Sequence, residues 1–227
     1  MISWIIAAYN EEKRLSKTLS RLVNELKDID FEIVVSDDGS EDGTIDVVSM
    51  YSNVLSNVRI VTNAHLGRGS ALRNGLNNSK GDIAVFSSAD ICMSRDQVEE
   101  LLKLLNDFDL ILLSKHTRGS SGLGVGIARR FLSLSFSFLV RLLWKLPYGD
   151  TQGIKIGKTA AMREIIPHAK SKGFLFDLEV VVHAHKMNRK VVEVPWTYSY
   201  SEGSKVNFKA VFQMAFGLLL LKIKHLI

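Results

Sequence analysis

Cysteine is nearly missing from this chain: Cys92 stands alone among 227 residues. One thiol excludes an internal disulfide framework and any cysteine-rich metal site, and it fits a reducing compartment. Long uncharged apolar runs are missing as well, and none reaches the roughly 18 residues of a membrane-spanning helix. The two nearest runs are cut short or flanked by charge. Phe131 to Val140 meets Arg141, and Ala210 to Leu221 lies between Lys209 and Lys222. That mixture of basic and large apolar residues suits a helix lying in a membrane interface. Histidine is sparse, and His183 and His185, two apart, do not share a helix face, which argues against a metal pair. A basic leader and a small-residue cleavage site are both lacking, so no signal peptide is expected. Internal repeats and low-complexity segments are not found.

The remaining composition is that of a globular protein, 46% hydrophobic and 23% charged. The formal charge of +5 suits anionic partners without choosing among nucleic acid, nucleotide and membrane surface. Short apolar runs alternate with amphipathic ones. Strands are expected over Ile2 to Tyr9, Phe31 to Val35, Val58 to Thr62, Ile83 to Phe86 and Asp109 to Leu113. Helices are expected between them, the first carrying Leu15, Leu19, Leu22, Val23 and Leu26 on one stripe. This repeated β-α order implies an α/β protein with a mostly parallel, Rossmann-like sheet built by right-handed crossovers.

After Gly119 the regularity breaks, and the rest reads as an elaboration of one domain. A long helix is expected over Gly126 to Lys145 and a short strand near Ile154 to Ile156. Helices follow over Thr159 to Ile165 and Leu178 to Met187, then a late strand over Val191 to Val194 and a basic, apolar helix from Phe208.

Ser87 to Cys92 is the stretch on which function is expected to turn. A buried strand ending in small residues brings one carboxylate, Asp90, to the carboxyl edge of the sheet, where α/β proteins bind ligands. Alone, such an aspartate is more often a cap than a metal ligand, although Mg2+ can be held by one carboxylate together with substrate phosphates and water. Asp37-Asp38-Gly39-Ser40 follows the second strand and reads either as a capped turn or as a carboxylate presented to a base or sugar. Gly67-Arg68-Gly69, with Arg73, suits close approach of an anion to a helix start, yet it lacks the full dinucleotide fingerprint and the Walker lysine.

Taken in order, these motifs resemble family 2 of the glycosyltransferases, which have the GT-A fold. Ala8-Tyr9-Asn10-Glu11-Glu12 resembles the family's opening motif, with Ala7 where proline is usual. Asp37 to Thr44 resembles its Asp-Asp-Gly-Ser-x-Asp-Gly-Thr, and Asn63 to Gly75 its arginine- and glycine-bearing segment. Asp150-Thr151-Gln152-Gly153-Ile154-Lys155, Phe174 to Glu179 and Gly203-Ser204-Lys205 resemble segments of dolichyl-phosphate glucose and mannose synthases.

The resemblance implies an inverting transfer of a hexose, glucose from UDP-glucose before mannose from GDP-mannose, to a polyprenyl or dolichyl phosphate. It implies Ala8, Tyr9, Glu11, Asp38, Arg68 and Arg73 at the nucleotide. Asp90 would carry Mg2+ or Mn2+ and act catalytically with Lys205. Lys115, Arg130 and Lys205 would grip the acceptor phosphate. Ser88 stands where the first acid of the family's Asp-x-Asp would be, so a degenerate, non-catalytic nucleotide-sugar binder is the rival reading. Residues 1–118 would bind the donor and 119–227 the acceptor, through a helical, membrane-facing extension. The expected location is cytoplasmic, peripheral to the inner face of a membrane, with no nucleic-acid partner.

Overall fold

The computed structural model describes residues 1–123, 127–199, 217, 218 and 220–223, with backbone only for 121–123, 127–132, 198 and 199. Alternation within the strands explains the layering. In β1 (Ile2–Ala8), Ile2, Trp4, Ile6 and Ala8 point to one side of the sheet and Ile5 to the other. In β2 (Phe31–Asp37), Phe31, Ile33 and Val35 oppose Val34 in the same way. Strands buried on both faces need helices on both faces. The first face is covered by α1 (Glu12–Leu26), α2 (Thr44–Ser52) and α4 (Arg95–Leu104). The second is covered by α3 (Arg68–Asn77), α5 (Ile127–Trp144), α6 (Thr159–Ile165) and α7 (Leu175–Lys186).

The stripe expected on α1 buries Leu15, Leu19, Leu22 and Leu26 fully, with Val23 at its margin. The start of α4 is fixed by a capping box: Ser94 Oγ accepts from the Gln97 N–H while Gln97 Oε1 accepts from the Ser94 N–H.

The sheet also contains β3 (Val58–Thr62), β4 (Ile83–Ser88), β5 (Leu110–Ser114), β7 (Lys155–Lys158) and β8 (Val191–Pro195). Its order is β3-β2-β1-β4-β7-β5-β8. β1, β2, β3 and β4 run parallel, as do β5 and β8, but β7 lies antiparallel between β4 and β5. The expected short strand near Ile154 to Ile156 is therefore a central one, shifted to Lys155–Lys158. The segment after Gly119 is more than an elaboration, because it supplies two of the sheet's strands and three of the helices that cover one face. A second, two-stranded parallel ribbon pairs β6 (Ser121–Leu123) with β9 (Thr197–Ser199).

Among the described residues no helix is long and apolar enough to cross a membrane. The long helix expected near Gly126 to Lys145 is α5. It is two-faced: Phe136 and Val140 are buried in the core, while Leu134, Phe138, Leu139 and Leu142 are exposed. Residues 217, 218 and 220–223 are helical. There Leu218 and Leu221 join the same core and the Lys222 ammonium lies 5.5 Å from the Trp144 ring.

Candidate active site

The carboxyl ends of β1 and β2 are stitched together by short polar side chains. Asn10 takes the left-handed conformation (φ 51°), so its N–H reaches Ser40 Oγ at 2.9 Å and its Oδ1 accepts from the Glu41 N–H at 2.8 Å. The Glu11 N–H donates to Thr44 Oγ1 at 2.8 Å. Asp37 is buried and accepts from the N–H groups of Gly39 and Ser40 and from the Ser40 hydroxyl. Asp38 is also buried. Its carboxylate accepts from the N–H groups of Leu66 and Gly67 at 2.9 and 2.8 Å, which ties the β3–α3 loop to the end of β2. The Tyr9 ring lies on the His65 ring with centroids 4.2 Å apart.

That loop delivers Arg68 as the first residue of α3. Gly67 sits at φ 104°, and a Cβ on Gly69 would fall 2.4 Å from Phe176 Cβ. The glycines thus admit the chain's own α7 and the segment before it. The Gly69 and Ser70 N–H groups donate to the Lys172 carbonyl at 2.6 and 3.1 Å. The expected anion at this helix start is replaced by a backbone carbonyl.

Close packing of α3 on α7 puts Arg68 beside Asp177. Arg68 Nε donates to Asp177 Oδ2 at 3.1 Å, and Lys155 Nζ donates to Asp177 Oδ1 at 2.7 Å. Lys155 and Asp177 are each 1% exposed. The ammonium also donates to the carbonyls of Thr151 and Gly153 at 3.0 Å each, so all three of its protons are placed. Burial pushes the Asp177 carboxyl up, but Lys155 and Arg68 outweigh it and hold it below the usual carboxylate range. Two cations on one carboxylate leave a net positive charge. Arg68 carries that charge to the sheet edge, where its Nη1 reaches the Ser87 carbonyl and Ser88 Oγ, each at 3.3 Å.

Across from Arg68 runs the turn before β7. Glu193 accepts from the N–H groups of Gly149 and Asp150, and Asp150 accepts from those of Lys115 and Gln152. A Cβ on Gly153 would fall 1.8 Å from the Leu113 carbonyl oxygen, so only glycine fits where this turn meets β5. Between the two walls lies a cleft of about 50 Å3, lined by Arg68, Ser88, Lys115, Gln152 and Trp196, with Ile91 and Ile154 beside them. It sits at the carboxyl end of β4, faces cations and neutral donors, and suits a ligand rich in oxygen acceptors.

The sequence matches glycosyl transferase family 2 over residues 3–165. The chain belongs to that family. It is similar to the dolichyl-phosphate beta-glucosyltransferases ALG5C and ALG5D of Trichomonas vaginalis. Identity is 28% to the first, over 95% of this chain and 69% of that protein, and 30% to the second, over 96% and 72%. A dolichyl-phosphate beta-glucosyltransferase of Dictyostelium discoideum is 29% identical over the whole chain and 75% of its own length. Among solved structures, glucosyl-3-phosphoglycerate synthase from Mycobacterium tuberculosis, in complex with Mn2+, UDP-glucose and phosphoglyceric acid, superposes with a TM-score of 0.70. It is 19% identical, and the match covers 98% of this chain and 79% of that one. S. aureus TarS 1-349 with UDP-GlcNAc gives 0.61 at 21% identity, over 94% and 64%. The fold is thus the GT-A fold, and the chain is a family 2 hexosyltransferase that resembles the dolichyl-phosphate glucosyltransferases.

Within this glycosyl transferase family 2 chain, Arg68 and Lys115 share the cleft with Ser88. Asp90 is exposed in the turn just past β4, which the Ile91 N–H closes onto the Ser88 carbonyl. Ala8 is buried at the end of β1, where its carbonyl accepts from the Asp38 N–H. Glu11 is paired with Arg14 at 2.9 Å. Asp38, expected at the nucleotide, has its carboxylate engaged by backbone N–H groups. Arg73, expected near the nucleotide, points instead to the Ala169 carbonyl and the Phe176 ring, 5.3 Å from the centroid, and belongs to the packing between α3 and α7. Arg130 lies in α5 with its side chain outside the described residues, and Lys205 lies outside them altogether.

Sequence reasoning missed the role of Lys155 and Asp177. The signal was a lysine inside an apolar strand and an acid within an apolar helix, each of which needs a counter-ion when buried.

For a divalent cation the donor set fits in one way. Among the described residues no group of three or more His, Cys, Asp or Glu gathers. Asp90 therefore offers a single carboxylate beside the cleft, and Mg2+ is commonly held by one or two carboxylates with substrate phosphates and water.

Proposed function

We propose that this chain transfers glucose from UDP-glucose to dolichyl phosphate, with inversion at the anomeric carbon. The observation that carries this reading is the cleft at the end of β4, where Arg68 is held by a buried ion pair and Lys115 stands at the other lip. The likeness to dolichyl-phosphate beta-glucosyltransferases over nearly the whole chain supports the substrates. Those relatives are glucosyltransferases by name, so neither the mannose reading nor the non-catalytic one is favoured.

The chemistry asks little of the protein in proton transfer. A phosphate monoester has a second pKa near about 6 and is largely a dianion at neutral pH, already nucleophilic. Its oxygen forms the new bond to the anomeric carbon as the bond from that carbon to the diphosphate oxygen breaks, and the electron pair leaves with UDP. The demand on the site is to orient the two anions and to neutralise charge developing on the leaving group. Arg68, oriented by Asp177, does the second. Asp90 would hold Mg2+ or Mn2+, which when bound supplies further charge neutralisation on the diphosphate. Lys115, Arg130 and Lys205 would take the acceptor phosphate, so residues 119–227 would serve chiefly the acceptor and 1–118 chiefly the donor, with Lys115 and the cleft at their border. The exposed Leu134, Phe138, Leu139 and Leu142 of α5, beside the exposed Arg141, would rest on the membrane that carries the lipid, at its cytoplasmic face.

Thermal shift with UDP- and GDP-sugars, each with and without Mn2+, tests the donor. A metal-dependent rise in Tm with UDP-glucose and not with GDP-mannose is expected. A response to GDP-mannose alone would reject the donor assignment.

A further inference from the structure

We propose that the side-chain amide of Gln152 and the indole N–H of Trp196 form the subsite of the transferred hexose and donate hydrogen bonds to its hydroxyl oxygens. This rests on the glucosyl-transfer reading and goes beyond it by naming the groups that read the sugar.

Gln152 Nε2 and Trp196 Nε1 are both shielded from solvent, and neither has a hydrogen-bond partner among the described residues. Buried polar groups are otherwise almost always paired, so two unmet donors on residues of one cleft call for an explanation. Both residues line the same cleft as Arg68, Ser88 and Lys115. Ser88 Oγ accepts from Arg68, and neither Gln152 Nε2 nor Trp196 Nε1 bonds to it. A ligand that completes this wall must bring acceptors. The charged donors suit phosphate oxygens. An amide and an indole are neutral donors and suit the hydroxyl oxygens of a sugar, which carries no charge to be paired.

The backbone that carries each group is held in place before any ligand arrives. The Gln152 N–H is fixed on Asp150 Oδ1 at 2.8 Å, and the turn around it is pinned by Lys155 to Thr151 and Gly153. The backbone N–H of Trp196 reaches the Ser114 carbonyl at 2.9 Å and Ser120 Oγ at 3.2 Å. Lys155 joins the turn carrying Gln152 to Asp177 and hence to Arg68, so the sugar-facing and phosphate-facing walls are set by one buried cation. Preorganised donors of this kind discriminate strongly, because an analogue lacking the matching hydroxyl leaves them unpaired.

Trp196→Phe keeps the ring and removes the N–H; Gln152→Met keeps the length and removes the amide. Each variant would be titrated with UDP, with UDP-glucose and with UDP-deoxyglucoses lacking one hydroxyl. Each is expected to weaken UDP-glucose by about ten-fold, the scale of one hydrogen bond, while leaving UDP within about two-fold. Each variant should also become indifferent to the loss of one particular hydroxyl. Unchanged UDP affinity doubles as the control for folding. Equal weakening of UDP and UDP-glucose, or no change in either, would overturn the proposal. So would an effect confined to the KM for dolichyl phosphate, which would assign the two donors to the acceptor instead. Wild-type protein that binds another UDP-hexose but not UDP-glucose would overturn the donor reading alone, and the same titrations with that sugar then decide the subsite.

Discussion

Lys155 places all three of its protons inside the protein, on two carbonyls of the turn it follows and on Asp177. Removing one partner of a buried pair costs about 3–5 kcal/mol, because the other charge is stranded. Asp177→Asn strands two cations and is expected to lower Tm by roughly 10 °C, read by calorimetry. It should also raise the KM for the nucleotide sugar, since Arg68 loses the carboxylate that aims it. Ser88→Asp tests the missing acid. Arg68 Nη1 already lies 3.3 Å from Ser88 Oγ, so a carboxylate there would pair with the guanidinium and be only partly available to a cation. The metal concentration for half-maximal activity is expected to fall by less than about ten-fold, within the range of one partly screened carboxylate. A rise from near-zero turnover would instead support a degenerate wild-type site. At this scale the residue types of Arg68, Asp90 and Lys115 drew attention to them in the sequence, and the fold brings Arg68 and Lys115 to one cleft. It misled for Arg73, because a cation beside a glycine-rich turn looks the same whether it meets a phosphate or a buried carbonyl. Gln152 stood out only through the segment Asp150 to Lys155, and Trp196 not at all, since nothing in a sequence shows which donors will be left unpaired.

Among the elements, α5 and the helical residues near its end carry the most testable surface. Phe136 and Val140 anchor α5 in the core, and the face carrying Phe138 (66% exposed) and Leu142 (62% exposed) is left uncovered by the described residues. Phe138→Ser with Leu142→Ser is expected to reduce binding to anionic liposomes by at least about ten-fold in pelleting assays. Each buried side chain of this size contributes about 1.5–3 kcal/mol. The Tm should hold, because neither residue packs in the core. Liposome binding equal to wild type would remove the membrane role from this face. The pattern of apolar and basic residues pointed to an interfacial helix, but periodicity alone did not reveal that Phe136 and Val140 of α5 are ordinary core. The glycine-rich start of α3 was legible as a close approach. What approaches, the Lys172 carbonyl and Phe176, lies about 100 residues downstream and could not be read locally.

For the molecule as a whole, acid should be the weak side. Asp177, Glu32 and Asp109 are all held below the ordinary carboxylate range. In each, burial pushes the group up but is outweighed: by Lys155 and Arg68 at Asp177, by hydrogen bonds from Ser3, Lys80 and Arg59 at Glu32, and by those from Lys190 and Lys158 at Asp109. Below about pH 4 the unfolded chain takes up protons that the folded chain refuses, so stability present above that pH is lost as pH falls through the folded values. Urea midpoints measured from pH 6 to pH 3 should fall steeply below pH 4, and less so in Asp177→Asn. The order of strands and helices up to Ser114 could be read from hydrophobic period alone. β7 could be read as a short strand but not placed: an antiparallel strand in the middle of a parallel sheet leaves no local mark of its position, and its lysine argues against burial until Asp177 is placed beside it. The central claim is that a cleft lined by Arg68, Ser88 and Lys115 transfers glucose to a lipid phosphate. It is tested most directly by incubating the protein with UDP-[14C]glucose, dolichyl phosphate and Mn2+ and counting label in the organic phase. Labelled lipid that disappears in Arg68→Ala is the predicted result. Full labelling in that variant, or none with the wild-type protein, would contradict the account.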